Sequence, residues 1–300
     1  MESNAPSTGT RIENGVRRLD PLPTAEELDA FYSKVYHATN SGKAPDIARL
    51  RGESDAAQKE RNWRFETTYT DVLAYLSETV GLTGRLIDVG CGSGEFISFM
   101  LNHPGWDAVG VELSPDAVAL AVARGLNVKR GKIADVGSKF GGGFDVLTMF
   151  NVLEHVLDPW EVLRTAYSLL RPGGVIVVQV PNDFSRLQQA IQEHIGTDRW
   201  WVAIPDHINY FNFDSLETML SSHGFQPLVR YGSFPMEFFL LGGFDYVTDP
   251  RMGAVAHQAR CAFEVSLVSS QRRALFEDFA RGGIGRNALV IAQRNAGSSG

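Results

Sequence analysis

The stretch Leu86–Phe96, LIDVGCGSGEF, constrains the fold more than any other part of the chain. The apolar run RLIDV leads into glycines at alternate positions, Gly90, Gly92 and Gly94, and a helix-like pattern, EFISFML, begins at once. Glycine adopts backbone angles that a Cβ forbids and lets a ligand lie against the main chain. The predicted order is therefore strand, glycine turn and helix, with a ligand on the turn. The G-x-G-x-G spacing differs from the G-x-G-x-x-G of dinucleotide folds. It also lacks the Lys-Ser/Thr pair of a nucleoside-triphosphate loop.

Short β-rich runs continue from there: RLIDVG, DAVGVEL, NVKRG, FDVLTMF and GVIVVQV, separated by amphipathic stretches such as SPDAVALAVARG and DPWEVLRTAYSLLRPGG. This alternation predicts an α/β fold with a mostly parallel sheet and helices on both faces. FQPLVRYG and RNALVIAQR supply a sixth and a seventh strand. Residues 1–23 are polar and aperiodic and read as a disordered tail. Residues 24–84 read as an N-terminal helical cap, with Thr24 as an N-cap before Glu26 and Glu27. The main domain then runs over 85–295 with long insertions at about 183–212 and 233–285, the second mostly helical, and 296–300 form a flexible tail. Asp214 is the expected N-cap of the helix in NFDSLETMLSSHG.

Composition narrows the partners. A hydrophobic share of 44%, with 18 Phe and 5 Trp, supports a full core. A net charge of -7 gives no basic footprint for nucleic acid. The two cysteines, Cys91 and Cys261, do not make a disulfide framework and suit a reducing compartment. The N-terminus has no apolar signal core and no run reaches membrane-spanning length, so no membrane partner and a cytoplasmic location are expected.

Two acidic residues sharpen the ligand. Glu112 ends the strand after the glycine turn, where a carboxylate can accept bonds from ribose hydroxyls. Asp88 sits inside an apolar strand, and a buried carboxylate needs donors or a cation. Loop N–H groups or a sulfonium or ammonium ligand would serve.

Together LIDVGCGSGEF, VGVELS, FDVLTMFNVLEHVLDP and LLRPGGVIVVQVPN resemble the class I S-adenosylmethionine-dependent methyltransferases, over about Arg85 to Asn182. The resemblance implies a Rossmann-like fold around a seven-stranded sheet, and S-adenosylmethionine as cofactor with S-adenosylhomocysteine as product. By that likeness Gly90, Cys91, Gly92 and Gly94 hold the methionine part, with Asp88 at its edge. Glu112 and the adjoining Leu113 take the ribose side, Lys132 and Ile133 neighbour adenine, and Asn151 lies beside the sulfonium. Lys132 stands where the family often has Asp or Asn, which leaves any acidic adenine contact to Asp135. IPDHINYFNFDSLETML resembles the H-I-N-Y-F segment of a broad small-molecule subgroup with varied substrates.

In-line methyl transfer to a hydroxyl needs a positioned nucleophile and profits from a base near neutral pH. His207, in the insertion expected to fold over the sheet, is the leading base, His155 the next, and Tyr210 can position substrate. Glu154, His155, Asp158 and His207 are candidate ligands for a metal that would orient a catechol. Adjacent residues such as Glu154 and His155 diverge in regular structure, and no metal is the expectation. The aromatic groups Trp200, Trp201, Tyr210, Phe211 and Phe213, and Phe31, Tyr32 and Tyr36, serve packing or stack on a flat ligand or sugar. FPMEFFLLGGFDY, with its isolated Glu237, reads as a buried segment or a homodimer contact. The expected activity is O-methylation of a small polar acceptor, a sugar or natural-product intermediate. The alternatives are N-methylation, metal-assisted O-methylation, an inactive cofactor-binding protein, and a Rossmann-type oxidoreductase with Glu112 on an adenosine ribose.

Overall fold

The structure is a computed structural model and describes residues 9–28, 30 and 54–296. It opens with a β-hairpin, β1 (Gly9–Glu13) and β2 (Val16–Asp20), where a tail is expected. The connecting Asn14-Gly15 has φ of 49° and 82°, both positive as a two-residue hairpin turn of this type demands. The strands are short and polar, but Val16 and Leu19 are buried. Thr24 caps a helical turn as expected, exchanging bonds with Glu27 (3.1 and 2.8 Å). Phe31, Tyr32 and Tyr36 lie outside the described residues.

One helical run follows: α1 (Asp55–Arg64), a π-turn (Phe65–Tyr69) and α2 (Thr70–Thr79). The α/β part comprises β3 (Gly84–Val89), α3 (Glu95–Leu101), β4 (Trp106–Glu112), α4 (Pro115–Ala123), β5 (Val128–Arg130), α5 (Ile133–Val136), β6 (Phe144–Phe150), α6 (Pro159–Leu169) and β7 (Leu170–Pro181). Then come α7 (Arg186–Ile195), the two-residue β8 (Asn209–Tyr210), α8 (Phe213–Ser222), β9 (Phe225–Gly232), α9 (Glu237–Leu241), α10 (Pro250–Ser266), α11 (Ser269–Arg281) and β10 (Asn287–Arg294). Asn212, not Asp214, caps α8: its side chain accepts from the Ser215 N–H (2.9 Å) and Ser215 Oγ accepts from the Asn212 N–H (3.0 Å).

Seven strands form one sheet in the order β5-β4-β3-β6-β7-β10-β9. The first four pairings are counted from β5 to β7 and are parallel; β10 runs antiparallel to both its neighbours. All seven expected strands are present. Side chains alternate between two apolar layers: Ile87, Leu147 and Met149 pack with α6 and α8, while Leu86 and Val146 pack with α2, α3 and Phe276 of α11. The parallel register puts the ends of β3, β4 and β6 on one edge of the sheet. The second sheet is the hairpin plus β8, so the N-terminus pairs with the H-I-N-Y-F segment.

The helical excursion α9–α11 is fixed by a buried ion pair. Arg272, from α11, gives its Nε and Nη2 to the two oxygens of Asp71 on α2 (both 2.7 Å). Asp71 also accepts from the Tyr231 and Ser269 hydroxyls (2.8 and 2.6 Å), and the remaining Arg272 donors meet the carbonyls of Glu66, Glu264 and Leu267. Removing one member of such a pair strands a buried charge. Arg272→Met is therefore expected to lower unfolding free energy by about 3–5 kcal/mol, read from urea denaturation. A loss below about 1 kcal/mol would place the anchoring of α11 elsewhere.

Candidate functional site

The glycine turn has the expected geometry. Gly92 (φ 53°) and Gly94 (φ 80°) lie in the left-handed region, and Gly94 starts α3. A Cβ on Gly92 would point into open space, whereas one on Gly90 would lie 2.6 Å from Val152. The turn therefore presents bare backbone on one side and packs on the other. Cys91 is buried and its N–H, like that of Gly90, bonds the Val111 carbonyl. Glu112 crosses the mouth of the turn and accepts from the N–H groups of Gly92 (2.9 Å) and Ser114 (2.8 Å). Each oxygen thus keeps a further lone pair for an incoming hydroxyl.

Asp88 is buried beneath the turn, where its Oδ1 accepts from the Thr148 hydroxyl at 2.6 Å. Burial, reinforced by the nearby Glu112 charge and opposed by the Thr148 bond, pushes its carboxyl up to about 7. Leu113 and Lys132 are exposed at the neighbouring strand ends, and Ile133 is buried against Val109 and Val111. Asn151, just after β6, holds a φ of 56°. Its N–H donates to the Gln179 carbonyl (2.8 Å) and its Oδ1 accepts from the Gln179 amide (3.1 Å). A left-handed non-glycine residue at a strand end is a strained position of the kind found at functional sites.

The second half of the site is built by the insertion after β7. The Ile208 N–H donates to the Glu154 carbonyl (2.8 Å), and the Asn209 amide donates to the carbonyls of Leu153 and Val156 (both 2.7 Å). Asn209 Oδ1 accepts from Arg18 of the hairpin (2.8 Å). This lacing brings His207 onto the loop after β6, with its ring 5.0 Å from that of His155 and 6.5 Å from that of Tyr210. The divergence expected of Glu154 and His155 does not occur. Residues 153–155 form a tight 3₁₀ turn, and Glu154 Oε1 lies 3.8 Å from His155 Nε2. Asp158 takes no part; it caps α6 through the Glu161 N–H.

Each group is perturbed by its surroundings. Burial pushes Glu154 up to about 7, and neither of its oxygens has a hydrogen-bond partner. His155 is drawn down by burial but raised overall, because Asp206 binds its Nδ1 through the carbonyl (2.9 Å) and carboxylate (3.2 Å) and Glu154 adds negative charge. His207 is pushed down to about 4 by burial and by the positive charge of His155, and its Nδ1 is unpartnered. A residue so reluctant to take a proton is a poor base at neutral pH, so of the two imidazoles His155 has the better chemistry. Tyr210 is buried with a free hydroxyl and is raised by burial.

Sequence reasoning did not single out Asp206, Asp183 or Gln188. Asp183 and Glu237 are both buried and raised by burial, and each senses Arg286 and Gln188. The Gln188 amide faces both carboxylates and the Trp200 indole faces the Tyr246 hydroxyl, but Asp183 Oδ2, both Glu237 oxygens, Gln188 Nε2 and the indole N–H groups of Trp200 and Trp201 make no hydrogen bond of good geometry. Buried polar atoms without partners are rare in folded proteins. Here they come from both insertions, Asp183, Gln188, Trp200 and Trp201 from the first and Glu237 and Tyr246 from the second.

Comparison with known proteins agrees with this anatomy. A family model described as "Methyltransferase domain" matches residues 60–229. Ubiquinone biosynthesis O-methyltransferases from Xanthomonas campestris pv. campestris (strain B100) and Xanthomonas euvesicatoria pv. vesicatoria (strain 85-10) are 29% and 32% identical over 157 residues, 50% of this chain and 64% of each relative. The chain thus spans somewhat less than two thirds of these relatives. Among solved structures, the 4+2 cyclase SpnF has a TM-score of 0.52 at 21% identity, covering 92% of this chain and 99% of its own. The Burkholderia thailandensis 1,6-didemethyltoxoflavin-N1-methyltransferase, solved with 1,6-didemethyltoxoflavin and S-adenosylhomocysteine, has a TM-score of 0.51 at 15% identity, covering 96% and 99%. At such identities the structures speak for the fold alone. No described helix is long and apolar enough to cross a membrane. With the domain match covering more than half of the chain, on a sheet of this order and a glycine turn of this shape, the chain belongs to the S-adenosylmethionine-dependent class I methyltransferase family.

Proposed function

We propose that the chain transfers the methyl group of S-adenosylmethionine to a hydroxyl oxygen of a small, polar, hydroxyl-rich acceptor, a sugar or natural-product intermediate. The observation that carries this reading is the gathering of unpartnered buried donors and acceptors, from Glu154 and His207 to Asp183, Gln188 and Glu237, at the carboxyl end of β6 and β7. A ligand with several hydrogen-bonding groups would offset the cost of burying them. Trp200, Trp201 and Tyr210 add rings suited to a sugar face. The relatives named as O-methyltransferases support oxygen as the atom methylated.

The residues present fit the cofactor. The space a Cβ would fill at Gly92 leaves room along the turn formed by Gly90, Cys91, Gly92 and Gly94. Glu112 would accept from the ribose hydroxyls, and Leu113, Lys132 and Ile133 would neighbour the adenine. Asp88, buried and accepting from the Thr148 hydroxyl, would suit the positive methionine end, and Asn151 would stand beside the sulfonium. S-adenosylmethionine supplies the methyl group when bound. His155, oriented by Asp206, would take the proton of the acceptor hydroxyl as its oxygen receives the methyl group and S-adenosylhomocysteine leaves. His207 stays neutral and accepts a hydrogen bond from the acceptor.

A screen with tritium-labelled methyl donor is expected to label polyols or sugars as O-methyl ethers. Labelling confined to apolar phenols would overturn the acceptor class. His155→Ala is expected to lower kcat by about 100-fold with cofactor affinity within about twofold of wild type; unchanged kcat removes His155 as base. Glu112→Ala should raise the cofactor Kd at least about tenfold, some 1.4 kcal/mol, by calorimetry. Asp88 gives a pH signature. Its carboxyl sits at about 7 rather than the usual 3.8, so in the ligand-free protein its contribution to stability is full below the lower value and lost as pH rises through the upper one. A cationic ligand favours the ionised form, so affinity should tighten from pH 6 to 8 and the dependence flatten in Asp88→Asn. Equal slopes in both proteins would separate Asp88 from the cofactor.

A further inference from the structure

His257 and Cys261 stand one helical turn apart on α10, so their side chains share a face. Glu60 of α1 meets that face from 197 residues earlier in the chain, its Oε2 2.8 Å from His257 Nε2. Cys261 Sγ lies 3.5 Å from the same nitrogen. One ligand atom from each residue thus falls within 4.8 Å of the other two. Around a tetrahedral zinc ion with bonds of about 2.0–2.3 Å, neighbouring donors stand about 3.3–3.7 Å apart. The sulfur and nitrogen already have that spacing, and the carboxylate need retreat by only about half an ångström to admit the ion.

The donors and their surroundings suit such an ion. A proton holds the three groups together in its absence: the His257 imidazole is raised to about 9, first by the Cys261 thiol and then by the Glu60 carboxylate, against its partial burial. A divalent cation displaces that proton and the proton of the thiol, and gains two anionic ligands and one neutral one. The two neighbouring guanidiniums have carboxylates of their own. Arg260 is bound to Glu264 (3.0 Å) and lies over the Trp63 ring, and Arg64 pairs with Glu95 (3.2 Å). Trp63 stands edge-on to His257 and gives its indole N–H to Glu264 (2.9 Å), so α1 steadies the imidazole as well as supplying a ligand. The Cys261 thiol is free, and a thiolate with an imidazole selects zinc over magnesium or calcium.

We infer that Glu60, His257 and Cys261 bind a zinc ion, with water in the fourth position, that cross-links α1 to α10. The site shares no residue with the proposed methyl-transfer centre and does not depend on the acceptor. Its place in the fold gives the link a purpose. From α1 the chain runs through the π-turn to Tyr69, whose ring packs on Phe96 just after the glycine turn (4.9 Å), and Arg64 of α1 pairs with Glu95 at the start of α3. Helix α10 belongs to the excursion that the Asp71–Arg272 pair fixes to α2. The ion is a second fastening between the excursion and the helical run that supports the cofactor turn.

The test uses the full chain, kept reduced, treated with chelator and dialysed, then titrated with Co²⁺ and with Zn²⁺. Saturable Co²⁺ binding is expected with a thiolate-to-cobalt charge-transfer band in the near ultraviolet, and Zn²⁺ should bleach that band by displacement. Zn²⁺ at about a hundred times its Kd should raise Tm by about 4 °C. Cys261→Ser is expected to abolish the band, and Cys261→Ser, His257→Ala and Glu60→Gln should each weaken Zn²⁺ binding at least about tenfold. Retained S-adenosylmethionine binding in each variant reports that it is folded. Absence of saturable binding, a charge-transfer band that survives in Cys261→Ser, or wild-type Zn²⁺ affinity in His257→Ala overturns the site. Wild-type affinity in Glu60→Gln alone overturns the link between α1 and α10.

Discussion

Asn209 is the residue on which the assembly of the site depends. One buried amide joins three segments that are distant in the chain: it donates to Leu153 and Val156 after β6, and it accepts from Arg18 of the N-terminal hairpin. Arg18 is itself buried, donates to the Leu157 carbonyl and lies over the Trp160 ring. Both polar atoms of the Asn209 side chain are satisfied, through three hydrogen bonds, so the connection is directional and has few alternatives. His207 stands two residues before this clamp and Tyr210 one after, so their placement over His155 follows from it. The asparagine of H-I-N-Y-F is thus an architectural residue, and the chemistry falls to its neighbours.

The two halves of the site obey different physics. The cofactor side is mostly backbone: a glycine turn, two N–H groups tied by Glu112, and strand ends aligned by parallel register. Such features come with the sheet, which explains why the fold supports other chemistries, including a cyclase among similar structures. The proposed acceptor side is mostly side chain, contributed by the insertion and the loop after β6. In the proposed function, specificity would belong to that half.

This division governs what the sequence makes legible. The seven strands, the glycine turn and Glu112 are visible because period-two apolar runs and glycine spacing are local signals. The hairpin at β1 and β2 is missed although Asn14-Gly15 announces it. Its strands are polar and become stable only by pairing with β8, nearly two hundred residues later. Asp206 is missed for the same reason: its partner, His155, lies 51 residues earlier, with α6, β7 and α7 between them. Glu154 and His155 are misjudged because their divergence holds for helices and strands, and a 3₁₀ turn obeys neither period. Asp214 yields to Asn212 as the cap because Ser215 can answer only the residue three before it.

Two buried polar clusters show how the molecule separates rigidity from reactivity. Around Asp71 and Arg272 the ionic groups meet hydrogen-bond partners from α2, β9 and α11, and the excursion is fixed to the sheet. Around Glu154, Asp183 and Glu237 burial is equally complete, but the oxygens of Glu154 and Glu237 and Oδ2 of Asp183 are left without partners. Desolvation without compensation is destabilising, so a folded chain tolerates it only where another group repays it. The satisfied cluster lies where the fold needs a fixed support. The unsatisfied one lies at the end of β6 and β7, beside the laced loop, where a ligand can enter. Stability invested at the first site lets the second keep buried polar groups without partners, an arrangement that the proposed electrostatic control of a methyl acceptor would use.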